Sequence, residues 1–314
     1  MTRQIAAALS GYFLSLILTV VILTVLIFAP GNALHSQPLD LPVVRAQTPG
    51  LPVFVFNNAF NTRGTPYSEI AGLLAELGYD GIEHREVDGI IQLKEELDRK
   101  DLKIFTDYVR IDLDAGDPYL REWKEVLPEL AGTGLILWVH IHSEQYGPSD
   151  RSADAEAVPI LRELADLAAP HGIRIAIYPH AGFVAETPED SYRLAELTGR
   201  ENVGAVFNLC HYLKTEGDRD PEAVIEKIMP RLIAVSLSGA DSGETRNMGW
   251  DQLIQPLGEG SYEVYPVVKA LLDNGYRGPV GFQCYRIEGD PADFLQTSMQ
   301  TWKGYMKRYQ SEQP

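Results

Sequence analysis

The chain has 314 residues, 45% of them hydrophobic, which is enough for a large folded domain and argues against disorder. Acids outnumber bases, 44 Asp and Glu against 27 Lys and Arg, for a formal net charge of −17. That sign gains nothing from counterion release and excludes a nucleic-acid partner, and two cysteines, Cys210 and Cys284, are too few for a disulfide framework.

The first predicted element is residues 5–29, a run without a charged side chain. It exceeds the roughly 7–15 apolar residues of a secretory signal and the roughly 20 that cross a bilayer as a helix. Arg3 is the only charge before it, so the positive-inside tendency predicts a cytoplasmic N-terminus, a membrane anchor and an extracytoplasmic domain. The alternative is a long signal, cleaved near the small residues Ala33 or Ala46 to release a secreted protein. Residues 30–50 carry four prolines and two glycines without periodicity and read as a linker. The domain is residues 51–314.

From Leu51 on, short β-branched or aromatic runs alternate with helical stretches. Strands are predicted at 53–56, 81–84, 102–105, 135–140, 173–178, 203–207, 232–237 and 280–284. Both cysteines fall in or beside such apolar runs and read as buried thiols, with a bridge or a reactive thiol as alternatives. Ile70, Leu73, Leu74 and Leu77 form a helical stripe closed by Gly78, and Val264, Val267, Val268, Leu271 and Leu272 form another closed by Asn274 and Gly275. Thr187, Pro188, Glu189 and Asp190 make a helix start with a capping hydroxyl. Strict strand–helix alternation implies parallel strands and right-handed crossovers, and eight units in this length predict a closed (β/α)8 TIM barrel preceded by one N-terminal apolar helix. The competing open sheet would need a glycine-rich dinucleotide turn after the first strand, where the chain reads FNNAFNTRG.

In such a barrel the active site lies at the C-terminal strand ends. Those ends hold Asn57 and Asn58; Glu83 and His84; His140 and His142; Tyr178 and His180; Asn208 and His211; Ser236 and Ser238; Gln283 and Tyr285. Five of the seven histidines gather at one rim, and imidazoles there can move protons or ligate a metal.

The stretches LGYDGIEHR (77–85), HGIRIAIYPHAGFVAETPEDSYRLAEL (171–197), ENVGAVFNLCHYLKTEG (201–217) and PLGEGSYEVYPVVKALLDNGYRGPVGFQCY (256–285) resemble the sugar phosphate isomerase/epimerase family of the xylose-isomerase-like superfamily. The resemblance implies a TIM barrel with a divalent ion, usually manganese, magnesium or cobalt, on Glu, Asp, His and Glu of strands five to eight. In the enzymes that isomerise or epimerise sugars, it further implies that two of those glutamates shuttle the proton. Carried over by position, the four ligands become Tyr178, Asn208, Ser236 and Gln283, so all four differ, while the neighbouring His180 and His211 persist. Hard cations want anionic oxygen, so the family metal is expected to be absent, whereas Asn and Gln suit sugar hydroxyls.

The sequence therefore points to an isomerase, epimerase or lyase acting on a carbohydrate or keto-sugar by proton transfer without the metal. Glu83, His84, His142 and His180 are the candidate bases and Tyr178 the acid, with Asn57, Asn208, His211, Ser236 and Gln283 as substrate-binding residues. Two alternatives stand beside it. One is a carbohydrate-binding barrel that has lost catalysis, and the other is a rearranged zinc or manganese site on His140, His142, His180 and His211. An abasic-site endonuclease of the same superfamily would need several metal ions and a basic face, neither of which the chain offers.

Overall fold

The computed structural model describes residues 50–60 and 64–313. The apolar segment 5–29 and nearly all of the 30–50 linker lie outside these residues; among the described ones, no helix is long and apolar enough to cross a membrane.

Eight parallel strands close into a barrel in sequence order: β1 (Val53–Val55), β2 (Gly81–His84), β3 (Lys103–Asp112), β4 (Ile136–His142), β5 (Arg174–Ile177), β6 (Val203–Asn208), β7 (Leu232–Leu237) and β8 (Val280–Phe282). The helices between and after them are α1 (Tyr67–Leu77), α2 (Ile90–Asp98), α3 (Trp123–Val126), α4 (Asp154–Ala168), α5 (Pro188–Thr198), α6 (Leu209–Glu216), α7 (Glu222–Ile228), α8 (Trp250–Leu253), α9 (Tyr265–Asp273) and α10 (Pro291–Glu312). All eight predicted strands are present. The local signals act as expected: Gly78 closes α1 with φ 83°, its N–H bonding to the Leu74 and Ala75 carbonyls. Thr187 and Asp190 cap α5 reciprocally.

Alternation along each strand sorts the side chains into two shells. Ile82, Val109, Ile111, Leu137, Val139, Ile141, Ile177, Phe207, Val235 and Leu237 face the helices and build the main core. Phe54, Phe56, Ile136, Trp138, Ala176, Tyr178, Val206 and Ala234 fill the barrel interior. The interior series turns polar toward the strand ends, where His140 follows Trp138, Tyr178 follows Ala176, Asn208 follows Val206 and Ser236 follows Ala234. Gly281 is needed inside this packing, since a Cβ there would lie 2.5 Å from the Phe54 ring and 2.9 Å from the Phe56 ring.

The main departure from the predicted elements is β3, which runs to Asp112 instead of ending at Phe105. Ile82 pairs with Ile104 but Glu83 pairs with Thr106, so Phe105 is an extra residue in the ladder. A bulge of this kind re-aims every side chain beyond it. Tyr108 then pairs with Trp138 and Arg110 with His140, both on the interior side.

Candidate active site

At the C-terminal ends of the strands lies a cavity of about 460 Å³. Of the residues singled out from sequence, Asn57, Glu83, His140, Tyr178, His180, His211 and Gln283 line it. Asn208 and Ser236 are fully buried and lie side by side in register on β6 and β7, but do not line the cavity. His142 is not in the wall; its Nδ1 lies 3.0 Å from Arg110 Nη2 at the end of β4.

His84 belongs elsewhere. It pairs with Asp107 across β2 and β3, in line with Leu137 of the helix-facing core, and its Nδ1 is 2.8 Å from Asp107 Oδ2. Neighbouring residues of one strand point to opposite faces, so Glu83 and His84 cannot both look into the barrel. The expectation of His84 as a catalytic base is corrected accordingly: it forms a buried pair behind the barrel wall.

Glu83 is almost fully buried, and its Oε2 accepts only the Asn57 N–H, at 3.3 Å. Burial pushes its carboxyl well above the usual carboxylate range, and the nearby Asp107 carboxylate adds to this. A carboxyl held in this way keeps its proton more readily than an exposed one and is a stronger base once ionised.

Opposite chemistry is set by the backbone of one residue, Ala181. His180 Nδ1 lies 3.0 Å from the Ala181 carbonyl oxygen, so it carries the hydrogen and leaves Nε2 bare. His211 Nδ1 accepts the Ala181 N–H at 3.1 Å, so its hydrogen sits on Nε2. Burial lowers the pKa of both rings, keeping them neutral, one an acceptor toward its surroundings and the other a donor. His140 stacks on Tyr108 at 4.1 Å and is pushed down to about 3, by burial first and then by neighbouring cationic groups.

The orientation of Gln283 is equally determined. Its Oε1 accepts from Asn58 Nδ2 at 2.6 Å and from the Cys284 and Tyr285 N–H groups at 3.0 Å each. The Nε2 side is thereby turned toward the Tyr178 hydroxyl, 3.5 Å away. Burial pushes the Tyr178 phenol well above its ordinary pKa, so it stays a hydroxyl donor.

These contacts bear directly on the metal that the family pattern implies. Tyr178, Asn208, Ser236 and Gln283 offer an un-ionised phenol, two amides and an alcohol, with no anionic oxygen to offset dehydration of a hard cation. Among the described residues, no group of three or more His, Cys, Asp or Glu side chains is arranged to hold an ion. In the His140, His142, His180 and His211 set, His211 presents an N–H and not a lone pair to its surroundings. The donor set does not fit the metal. Cys210 and Cys284 are free and buried, and burial pushes the Cys210 thiol up to about 12.

The cavity also contains residues that strand-end reading passed over: Arg85, Tyr108, Arg110, Phe183 and Trp250. Phe183 stacks on His180 at 4.0 Å, and Trp250 meets His211 edge-on at 5.0 Å. Such faces suit the apolar side of a sugar ring. Tyr108 and Arg110 alternate with Val109 and Ile111 beyond the expected end of β3, a period-two run that marks a longer strand without saying which face looks inward.

Residues 71–305 match the family model described as xylose isomerase-like TIM barrel. The chain belongs to this family. It is 21% identical over 278 residues to an inosose isomerase of Bacillus velezensis, covering 81% of this chain and 97% of that protein. It is 29% identical over 130 residues to the rhizopine catabolism protein MocC of Rhizobium meliloti, an alignment that spans only 38% of each. Among solved structures, the IOLI protein with a bound zinc atom superposes with a TM-score of 0.68 at 18% identity, covering 82% of this chain and 99% of that one.

Proposed function

We propose that this family member is a metal-independent isomerase or epimerase acting on a keto-sugar or related polyhydroxylated ketone. The observation that carries the reading is the meeting, in one cavity, of a buried carboxyl with a raised pKa, Glu83, and a paired phenol and amide, Tyr178 and Gln283. Glu83 in its ionised form takes the proton from the carbon beside the carbonyl. The electron pair moves to the carbonyl oxygen, where the Tyr178 O–H and Gln283 Nε2–H donate to the developing charge. Returning the proton to the former carbonyl carbon, while the hydroxyl on the carbon that lost its proton gives up its own to the former carbonyl oxygen, isomerises the substrate; returning a proton from the opposite face to the carbon that lost it epimerises the substrate. His180 Nε2 accepts from a substrate hydroxyl and His211 Nε2–H donates to one. Where relatives place a cation, this chain places neutral donors.

Substitution at all four family ligand positions favours a second reading, a barrel that binds carbohydrate without turning it over. One experiment separates the two. The full-length protein, freed of metal by a chelator, is incubated in D2O with a panel of ketoses and inososes, and deuterium at the exchangeable carbon is read by mass spectrometry. Incorporation that Glu83→Gln abolishes supports the enzyme; sugar binding without incorporation leaves only the binding barrel. We further propose that residues 5–29 tether the domain outside the cytoplasm, a reading supported by their charge-free length behind Arg3. Protection of the domain from external protease in cells with a permeabilised outer boundary would refute it.

A further inference from the structure

The cavity has an uneven charge for so acidic a chain. Among the described residues that line it, the only acid is the buried Glu83, whereas two guanidiniums, Arg85 and Arg110, stand in its wall. Arg110 is matched, with Nη2 2.8 Å from Asp112 Oδ2. Among the described residues Arg85 has no carboxylate within ion-pair distance, although eight other arginines do.

Glu83, Glu86 and Asp107 lie close enough to feel the Arg85 charge, but the hydrogen bonds they accept come from other donors. Glu83 accepts the Asn57 N–H, Glu86 Oε1 accepts the Arg110 N–H at 2.9 Å, and Asp107 holds His84 and the Glu86 N–H at 2.8 and 2.6 Å. Glu86 adopts a left-handed backbone, φ 60°, to make those contacts, and so turns the tip of β2 immediately after Arg85. The guanidinium lies 5.8 Å from the centre of the Tyr108 ring, which supports it without using its N–H groups. The result is a guanidinium at the mouth of the cavity with its fork of donors uncommitted.

We propose that the substrate of this cavity carries a carboxylate, which Arg85 receives, making the ligand class an acidic sugar or similar polyhydroxylated carboxylate. This rests on the cavity being the substrate site of the preceding section. A carboxylate fits better than a phosphate because one planar fork with uncommitted N–H groups suits a monoanion bound through two oxygens. A phosphate dianion would call on a second cation, and Arg110 is already neutralised by Asp112.

The test uses the full-length protein and calorimetric titration with D-glucuronate and D-galacturonate, their neutral counterparts D-glucose and D-galactose, and glucose 6-phosphate. At least one uronate is expected to bind about tenfold or more tightly than its neutral counterpart and more tightly than the phosphate. Arg85→Gln should erase that preference, and Arg85→Lys should keep only part of it. Equal binding of acidic and neutral sugars, preference for the phosphate, retention of the preference in Arg85→Gln, or no uronate binding at all would overturn the proposal. A protein that exchanges the protons of neutral ketoses but ignores uronates keeps the proton-transfer reading and loses this one. One that selects uronates through Arg85 without exchange does the reverse.

Discussion

Glu83→Gln should inactivate the protein and stabilise it, and the second effect has a pH signature. Glu83 is 3% exposed, holds a single hydrogen bond of 3.3 Å from Asn57, and sits near the Asp107 carboxylate. Its folded pKa is raised above the unfolded value of about 4.3. A carboxyl shifted that way binds its proton more tightly when folded, so its contribution to stability is present below the unfolded pKa and lost as pH rises through the folded one. Gln keeps the acceptor for Asn57 but cannot ionise. The variant should therefore match the wild type near pH 4 and gain on it as pH rises, reaching on the order of 1–3 kcal/mol, the penalty for a buried polar group short of partners. For a domain of this size that is roughly 2–4 °C of melting temperature per kcal/mol. Calorimetric melts of both proteins from pH 4 to 8 supply the comparison, with deuterium exchange losing roughly a hundred- to ten-thousandfold in rate. A stability difference that does not change with pH would refute the raised pKa of Glu83, and exchange at the wild-type rate would refute its catalytic role.

Three further outcomes follow from the packing and the donor set. Asp107→Leu, which strands His84 behind the barrel wall, should cost about 3–5 kcal/mol in urea unfolding; the double change His84→Gln with Asp107→Asn should recover most of that and leave exchange intact, whereas a catalytic His84 would lose it. Gly281→Ala should destabilise the barrel by about 1–3 kcal/mol, because the new methyl meets the Phe54 and Phe56 rings. Manganese titration should show no stoichiometric binding to the wild type, and binding should appear when Tyr178→Glu, Asn208→Asp, Ser236→His and Gln283→Glu are combined; tight binding by the unaltered chain would refute the account of its donor set.

The eight units were legible because they rest on local physics. Period-two apolar runs, stripes at three and four, Gly78 at a helix end and the Thr187–Asp190 cap each act within one element, and the order of units then leaves little choice of topology. Side-chain direction was not legible. The skipped Phe105 re-phases β3 through its pairing with β2, and only that pairing brings Tyr108 and Arg110 to the cavity and sends His84 to Asp107.

Likewise the tautomer of His211, the orientation of the Gln283 amide and the freedom of Arg85 depend on donors and acceptors supplied by other segments. By itself the sequence determined which elements form and which chemical groups stand at their ends. The tertiary structure decided which of those groups meet, because hydrogen bonds and charge pairing are satisfied between segments far apart in the chain, where no local pattern records them.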